Sequence, residues 1–510
     1  MRLRCTPSAL PLLLLVAACS ASGDGAASGD PEPDAASGSE ALARLADRYW
    51  EWHLETSPTS ATSIGDRRYD DRLADITPAG RERRYEALEG FLAELGTIDR
   101  ASLGGQDRIT YLALQEELRD PLERRACRLA EWRVDHRNGP QVSLLNLADI
   151  QRVETPADGE KMARRWHAMG PYVDAYTENL RLGLADGLVS NRVTVDYVIE
   201  QLRSQLAQPD ADWPLAKPAA ERREGWSEAE HSAFRSALLA AIAESVRPAF
   251  ERLERFLASE ALPAARTGSE VGLVGLPNGG ACYEILRRSY TTLNLGAEEI
   301  HEIGRRENTR IRAEMAALGA KVLGTSDVDE VQHRLRTDAA LHFSTAAEVK
   351  AKAEEATAKA LAEIPAWFAT LPRAPIVVEE IPEYEAPFTT IAYYRRPAAD
   401  GSRPGTYFIN TYAAESRPRY EAEVQAYHEG IPGHHLQLAI AQELDGLPAF
   451  RRFQGATAFV EGWALYTERL SDEMGLYSGD LDRLGVLSFD AWRASRLVVD
   501  TGIHAFGWTR

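Results

Sequence analysis

One octapeptide constrains this chain more than any other stretch: His428-Glu429-Gly430-Ile431-Pro432-Gly433-His434-His435. It holds three of the eleven histidines and, at its middle, a proline beside a glycine. A regular helix stacks side chains at i and i+4, which is how a His-Glu-x-x-His zinc motif presents its two imidazoles. Here position i+4 is Pro432, which cannot ligate, and the next histidines fall at i+6 and i+7. In an unbroken helix the first points away from His428 and the second sits about 10 Å along the axis. The helix therefore has to break. Pro432 lacks an N–H and clashes with the carbonyl of His428, while Gly433 accepts unusual dihedrals. A looped-out Ile-Pro-Gly brings His434 back over His428.

Neutral imidazole and carboxylate are what a catalytic Zn²⁺ needs, with one coordination position left for water. His428 and His434 are the candidate ligands. Glu429 is the candidate general base, taking a proton from water and passing it to the leaving group. Zinc lowers the pKa of that water toward ~7 and polarises the scissile carbonyl. A third ligand is sought downstream, in Phe459-Val-Glu461-Gly-Trp463-Ala-Leu-Tyr466-Thr-Glu468-Arg-Leu470. Phe459, Trp463, Tyr466 and Leu470 form an apolar stripe; Glu461, Leu465 and Glu468 lie on another face. Among bulky apolar neighbours, Glu461 needs a partner when buried, and a metal supplies one. Glu468 suits a supporting place, orienting a histidine. The bland alternative is a set of surface histidines on a solvated helix. A bare His-Glu-x₄-His string arises by chance in on the order of one chain in a hundred.

The 510 residues are 44% hydrophobic and 26% charged, ordinary for a globular protein with one large domain or two lobes. A net charge of −19 argues against nucleic acid as a partner, because phosphate binding needs a basic face. The N-terminus reads as a targeting segment. Arg2 and Arg4 precede an apolar run, Leu10 to Val16, too short to span a bilayer. Val16-Ala17-Ala18-Cys19 follows and resembles a bacterial lipobox, which implies cleavage after residue 18 and lipidation at Cys19. The alternatives are a soluble exported protein cut elsewhere, or a chance cysteine. Residues 19–40, rich in Ala, Ser, Gly, Asp and Pro, read as a flexible tether, and the domain occupies 41–510. Ser20 after the cysteine fits outer-membrane sorting by resemblance. The expected location is the periplasmic face or outer membrane of a Gram-negative bacterium. In that oxidising setting Cys127 and Cys282 form one disulfide or remain two buried thiols.

Along the domain, Tyr85, Leu88, Phe91, Leu92 and Leu95 share a helical stripe, and 232–258 repeats the pattern with a kink or break expected at Pro248. Residues 205–228 read as a surface loop. Gly272 to Gly280 lacks the endings of a phosphate loop and reads as a tight connection into a helix around Cys282-Arg288. From Ala297 a long helix carries Ile300, Gly304, Ile311, Met315 and Leu318 on one face. His301-Glu302 on it lacks a second ligand and reads as structural. Ile376-Val377-Val378 and Thr406 to Asn410 are short β-type runs, and Asp400 to Gly405 between them is turn chemistry. The expected fold is mainly helical with a small sheet beside the metal helix.

At these residues the chain resembles the bacterial domain-of-unknown-function-885 family, which has the character of zinc metallopeptidases. The resemblance rests on Leu276-Pro-Asn-Gly-Gly280, Ile300-His-Glu-Ile-Gly304, Asp400 to Gly405, His428 to Gln437, Glu461-Gly-Trp-Ala-Leu-Tyr466 and Asp500-Thr-Gly-Ile-His504. The order of Gly405 to Asn410, Glu423 to Glu429 and Gly433-His434 is also similar to the thimet-oligopeptidase type of helical zincin. That likeness implies His434 rather than His435 as second ligand. It further implies an edge strand before the metal helix that holds extended peptide, and a deep cleft that admits short peptides. His504 is a candidate to stabilise the oxyanion and Arg496 to hold a substrate carboxylate; a packed histidine and a helix salt bridge are the equal alternatives. Members of the family run on past the Gly507-Trp508 region, so the resemblance implies a chain that stops inside an ordered element. The leading expectation is a lipid-anchored zinc peptidase of short peptides. Its rivals are a metal-dependent hydrolase of non-peptide amides or esters, and a non-enzymatic lipoprotein that binds peptides or glycans.

Overall fold

Apolar residues at three- and four-residue spacing make helix follow helix through the first part of the chain. The computed structural model describes residues 35–510; residues 1–34, including Cys19 and its lipobox, lie outside them. Helix α1 (Ala35–Thr56) begins inside the stretch expected to be tether. With α2 (Pro78–Leu95) and α3 (Gly105–Arg124) it closes a first core around Leu42, Leu45, Leu88, Leu95 and Leu114. Thr77 caps α2, its hydroxyl accepting from the Gly80 N–H, and Pro78 occupies the first helical turn.

A second core is the largest. The long helix α4 (Pro156–Ala185) contributes Trp166, Met169 and Val173, packed against α5 (Glu228–Ala241) and α6 (Arg247–Phe256). Between α5 and α6 the chain does not break at Pro248. It widens into a π-helical turn, Ile242–Val246, which absorbs the missing N–H and continues the helix. The expected surface loop over 205–228 is a correction of another kind. It holds two short 3₁₀ segments, Asp210–Asp212 and Pro214–Ala220, and drives Trp213 and Leu215 fully into the core beside Phe250. Prolines and charges around them masked two anchor residues.

The glycine-rich stretch is a tight connection, as read, leading into α7 (Gly279–Thr291) and then α8 (Ala297–Val322). On α8, Ile300, Gly304, Ile311 and Met315 are buried and Leu318 is half-buried. Cys127, just past α3, is bonded to Cys282 on α7, with Cα atoms 5.0 Å apart. His301 is structural: its Nδ1 meets the Thr501 hydroxyl at 2.9 Å, and Phe506 and Trp508 meet its ring edge-on.

The sheet has three strands. β1 (Ile376–Glu380) and β3 (Gly405–Ile409) match the two β-type runs; β2 (Ala392–Arg395) is additional. The order is β1-β3-β2, with β3 parallel to β1 and antiparallel to β2. All five residues of β3 are buried. The strand that precedes the histidine segment is therefore the central one, paired on both sides, and it has no edge to offer a peptide. The edges belong to β1 and β2. Four of the last five helices carry the histidine segment and what surrounds it: α9 (Ala422–Glu429), α10 (His434–Glu443), α11 (Thr457–Glu473) and α12 (Asp480–His504). Among the described residues no helix is long and apolar enough to cross a membrane.

Candidate metal centre

The break foreseen at Pro432 falls between two helices. α9 ends at Glu429 and α10 starts at His434, with Gly430 to Gly433 as a turn containing a cis Ile431–Pro432 peptide. Gly433 is required there. A Cβ on it would lie 1.9 Å from the His428 carbonyl oxygen and 2.4 Å from that of Tyr427. Only a residue without a side chain lets the turn fold this closely. The result sets the rings of His428 and His434 edge to face, centroids 4.8 Å apart. The Trp463 indole N–H donates to the Pro432 carbonyl at 2.9 Å and ties the turn to α11.

Glu461 completes a trio. Its Oε2 lies 3.8 Å from His428 Nε2 and 3.9 Å from His434 Nε2, and one ligand atom from each residue falls within 4.8 Å of the others. Zinc at about 2.0–2.2 Å from each donor asks for donors about 3.4 Å apart, so the two Glu461 distances are about half an ångström long and the trio, spread within 4.8 Å, must draw in to close on an ion. The donor set fits the ion chemically. Burial pushes both imidazoles down to about 3, with the Arg493 charge adding to the effect at His428 and His428 adding to it at His434. Both stay neutral, as ligands must be. His434 Nδ1 is buried without a hydrogen-bond partner, so nothing competes for that ring.

His428 is held from behind. Its Nδ1 is 2.8 Å from Glu468 Oε1, and the two Glu468 oxygens accept from Arg493 on α12 at 2.6 and 2.8 Å. Nδ1–H donation to Glu468 leaves Nε2 as the free lone pair facing Glu461. Burial pushes the Glu468 carboxyl up to about 8, against the opposing pull of the Arg493 guanidinium. The orienting position anticipated for Glu468 is thus where the side chain sits. Of the pair in Arg493-Ala-Ser-Arg496, it is Arg493 rather than Arg496 that reaches this site, because it pairs with the buried Glu468.

Glu429, beside His428, is buried; burial first and Glu461 second push its carboxyl up to about 8. His435 is turned away and fully engaged. The Ala374 carbonyl can only accept, so it takes the Nε2–H at 3.1 Å, and Nδ1 accepts from the Tyr394 hydroxyl at 2.8 Å. No nitrogen is left for a metal.

A profile of the family described as "Bacterial protein of unknown function (DUF885)" matches residues 58–510. The chain belongs to the DUF885 family. Its fold recurs among solved structures, two of which are described as lipoproteins. One, described as "the putative lipoprotein from Colwellia psychrerythraea", superposes with a TM-score of 0.84 at 22% identity, covering 92% of this chain and 84% of that one. The other, "a putative lipoprotein of unknown function from Shewanella oneidensis", gives 0.64 at 18% identity, covering 91% and 83%. A search among curated proteins finds no match.

In this DUF885 chain the apolar stripe expected on α11 is split: Phe459 and Tyr466 are exposed, Trp463 is half-buried and Leu470 is buried, while Glu468 on the other face is buried with Ala464, Thr467 and Ser471. The reason is Glu468, which must point inward to reach His428 and Arg493. Glu461, two turns earlier on the same face, is 59% exposed at its side chain rather than enclosed by apolar neighbours. His504 is not brought to the trio. It lies three turns beyond Arg493, about 16 Å along α12. There its Nδ1 accepts from the Leu273 N–H at 3.0 Å and its ring stacks on Tyr283. This is the packed-histidine alternative, set by the glycine-rich connection. Arg496 is exposed one turn from Arg493, its guanidinium 5.1 Å from the Trp492 ring, with no salt bridge among the described residues.

Proposed function

We propose that this chain is a zinc-dependent peptidase with a zincin-like centre, hydrolysing short peptides outside the cytoplasm. The observation that carries the reading is the trio His428, His434 and Glu461: two neutral imidazoles on one broken helix and a carboxylate from another, converging within 4.8 Å. Surface histidines on a solvated helix have no reason to be buried, neutral and braced by a buried carboxylate–guanidinium pair. When bound, zinc supplies Lewis acidity toward a carbonyl and lowers the pKa of water.

The chain's own groups do the rest. His428 and His434 present Nε2 lone pairs, and Glu468 and Arg493 keep the first ring in its tautomer. Glu429 takes a proton from the attacking water onto its carboxylate and delivers it to the departing amine. A carboxyl displaced upward toward neutrality is matched to both halves of that transfer. Exposure of Glu461 leaves the outer side of the trio open to substrate. Two outer strand edges, on β1 and β2, remain for an extended peptide, and the exposed Arg496, one turn beyond Arg493, is the candidate for a substrate carboxylate. The N-terminal lipobox at Cys19, together with the fold shared with two proteins described as lipoproteins, supports a lipid-anchored, exported protein.

The test is elemental analysis of the purified protein combined with a peptide-library digest. One zinc per chain, lost on replacing His428 or His434 with Ala, together with cleavage of short peptides, is the expected result. Absence of stoichiometric zinc after loading and of any cleaved peptide would remove the reading.

A further inference from the structure

His434 opens a face of α10 that continues through Gln437, Leu438 and Ala441, at i+3, i+4 and i+7. Those residues form one wall of a cavity of about 960 Å³, a size typical of sites that enclose a small ligand. The start of α11 forms another wall: Val460 immediately precedes Glu461, and Trp463 follows two residues later. None of the three candidate ligands lines the cavity itself, but its lining includes residues within one helical turn of His434 along α10 and of Glu461 along α11. The exposed Phe459 of α11 lines this same space.

Across from α10 stands α3, whose carboxylates differ in their bonding. Glu116 pairs with Arg288 at 2.9 Å and Asp120 with Arg124 at 3.4 Å. Glu117 lies half-buried on the cavity wall, with no ion pair or hydrogen bond to another side chain among the described residues. The two further arginines of the lining are engaged elsewhere: Arg451 donates to Gln106 and Thr110, Arg452 to the Gln442 carbonyl. A half-enclosed carboxylate without a partner is matched by a cation arriving from outside. A peptide brings that cation as its α-ammonium or as a lysine or arginine side chain.

We infer that this cavity is the substrate chamber of the proposed peptidase, holding apolar peptide side chains along α10 and α11 and pairing a cationic amine with Glu117. The inference rests on the peptidase reading. It names the substrate class as short peptides with apolar residues next to the scissile bond and a positive charge farther on.

The test uses zinc-loaded full chain and peptides of one length in three forms: free N-terminus, N-acetylated, and N-acetylated with one internal lysine. Each carries Leu or Phe, or Ala as control, at successive positions. Binding is read separately by calorimetry on the Glu429→Gln protein, so that affinity is measured without turnover. Leu and Phe peptides should exceed Ala peptides, and an amine-bearing form should exceed the neutral acetylated form by at least tenfold in kcat/KM. The free-terminus and lysine arms show which amine is read. Ala441→Trp, which fills the chamber, should raise KM and weaken calorimetric binding at least tenfold for Leu and Phe peptides with zinc content unchanged. Glu117→Gln should reduce the amine preference to about onefold. Tyr290→Ala, on the exposed rim, is the second variant if Ala441→Trp does not fold, and should weaken binding of the Phe peptides. If peptides are cleaved but these variants leave KM, binding and the amine ratio as in wild type, the chamber is refuted. If no peptide is cleaved and no zinc is held, the peptidase reading fails instead.

Discussion

His428 Nδ1 and Glu468 Oε1 stand 2.8 Å apart, and no solvent reaches the carboxylate. This bond fixes which imidazole nitrogen faces Glu461. Removing such an outer partner typically costs 10- to 100-fold in metal affinity. Glu468→Ala is therefore expected to weaken zinc binding by about that factor in a competition titration with a chelator. An unchanged affinity would show that His428 needs no such support.

Glu429 makes the sharper functional prediction. Glu429→Gln keeps the side chain's shape and removes its ability to carry a proton. Hydrolysis is expected to fall by about 10²- to 10⁴-fold while one zinc per chain is retained. Activity within a few-fold of wild type would reassign the general base.

Gly433 is predicted to tolerate no side chain. The Cβ of Gly433→Ala would strike the His428 carbonyl at 1.9 Å, so the turn must open and separate the two rings. Loss of zinc binding is expected, with about 1–3 kcal/mol lost from stability in denaturant titration, as for other overpacked sites. A variant that binds zinc normally would place the constraint elsewhere.

Acid should destabilise the protein through His53. Its ring is stacked on Trp50, and burial holds its pKa at about 4, below the ordinary 6.5. Because the folded value is the lower one, the unfolded chain takes up the proton first. The stability of the neutral ring is present above pH 6.5 and is lost progressively as pH falls to about 4. Metal-free His53→Gln protein should therefore show a shallower fall in melting temperature than metal-free wild type between those pH values. Parallel curves would exclude the contribution.

Cys127→Ser tests the covalent tie. Loss of a native disulfide typically costs about 2–5 kcal/mol. The variant, and wild type under strong reductant, should unfold at correspondingly lower denaturant. Equal midpoints would mean the tie adds nothing to the folded state.

The histidine segment was legible because its chemistry is local: proline and glycine at i+4 and i+5 force the break that the structure shows. Helix α8 was equally plain, since Ile300, Ile311 and Met315 repeat with the helical period. Three other features were hidden by long-range contacts. β3 reads as an ordinary short strand, and nothing in its residues says that neighbours pair on both sides. Phe459 and Tyr466 look like a core stripe by periodicity, yet Glu468 overrides them because its partners, His428 and Arg493, come from distant segments. Trp213 sits among prolines and charges, and only the surrounding α4 to α6 core explains its burial. The placement of His504 was likewise decided by a backbone N–H from Leu273, a contact with no side-chain signature.

The Cys127–Cys282 bond reaches further than stability. It clamps the end of α3 to α7, the two helices that carry Glu117 and Tyr290 on the far side of the chamber. That wall is thus held together by a covalent bond, whereas the facing wall, α10 and α11, which bears His434 and Glu461, carries no such tie among the described residues. In the proposed peptidase, widening the chamber from that facing wall would also change the spacing of the candidate metal donors.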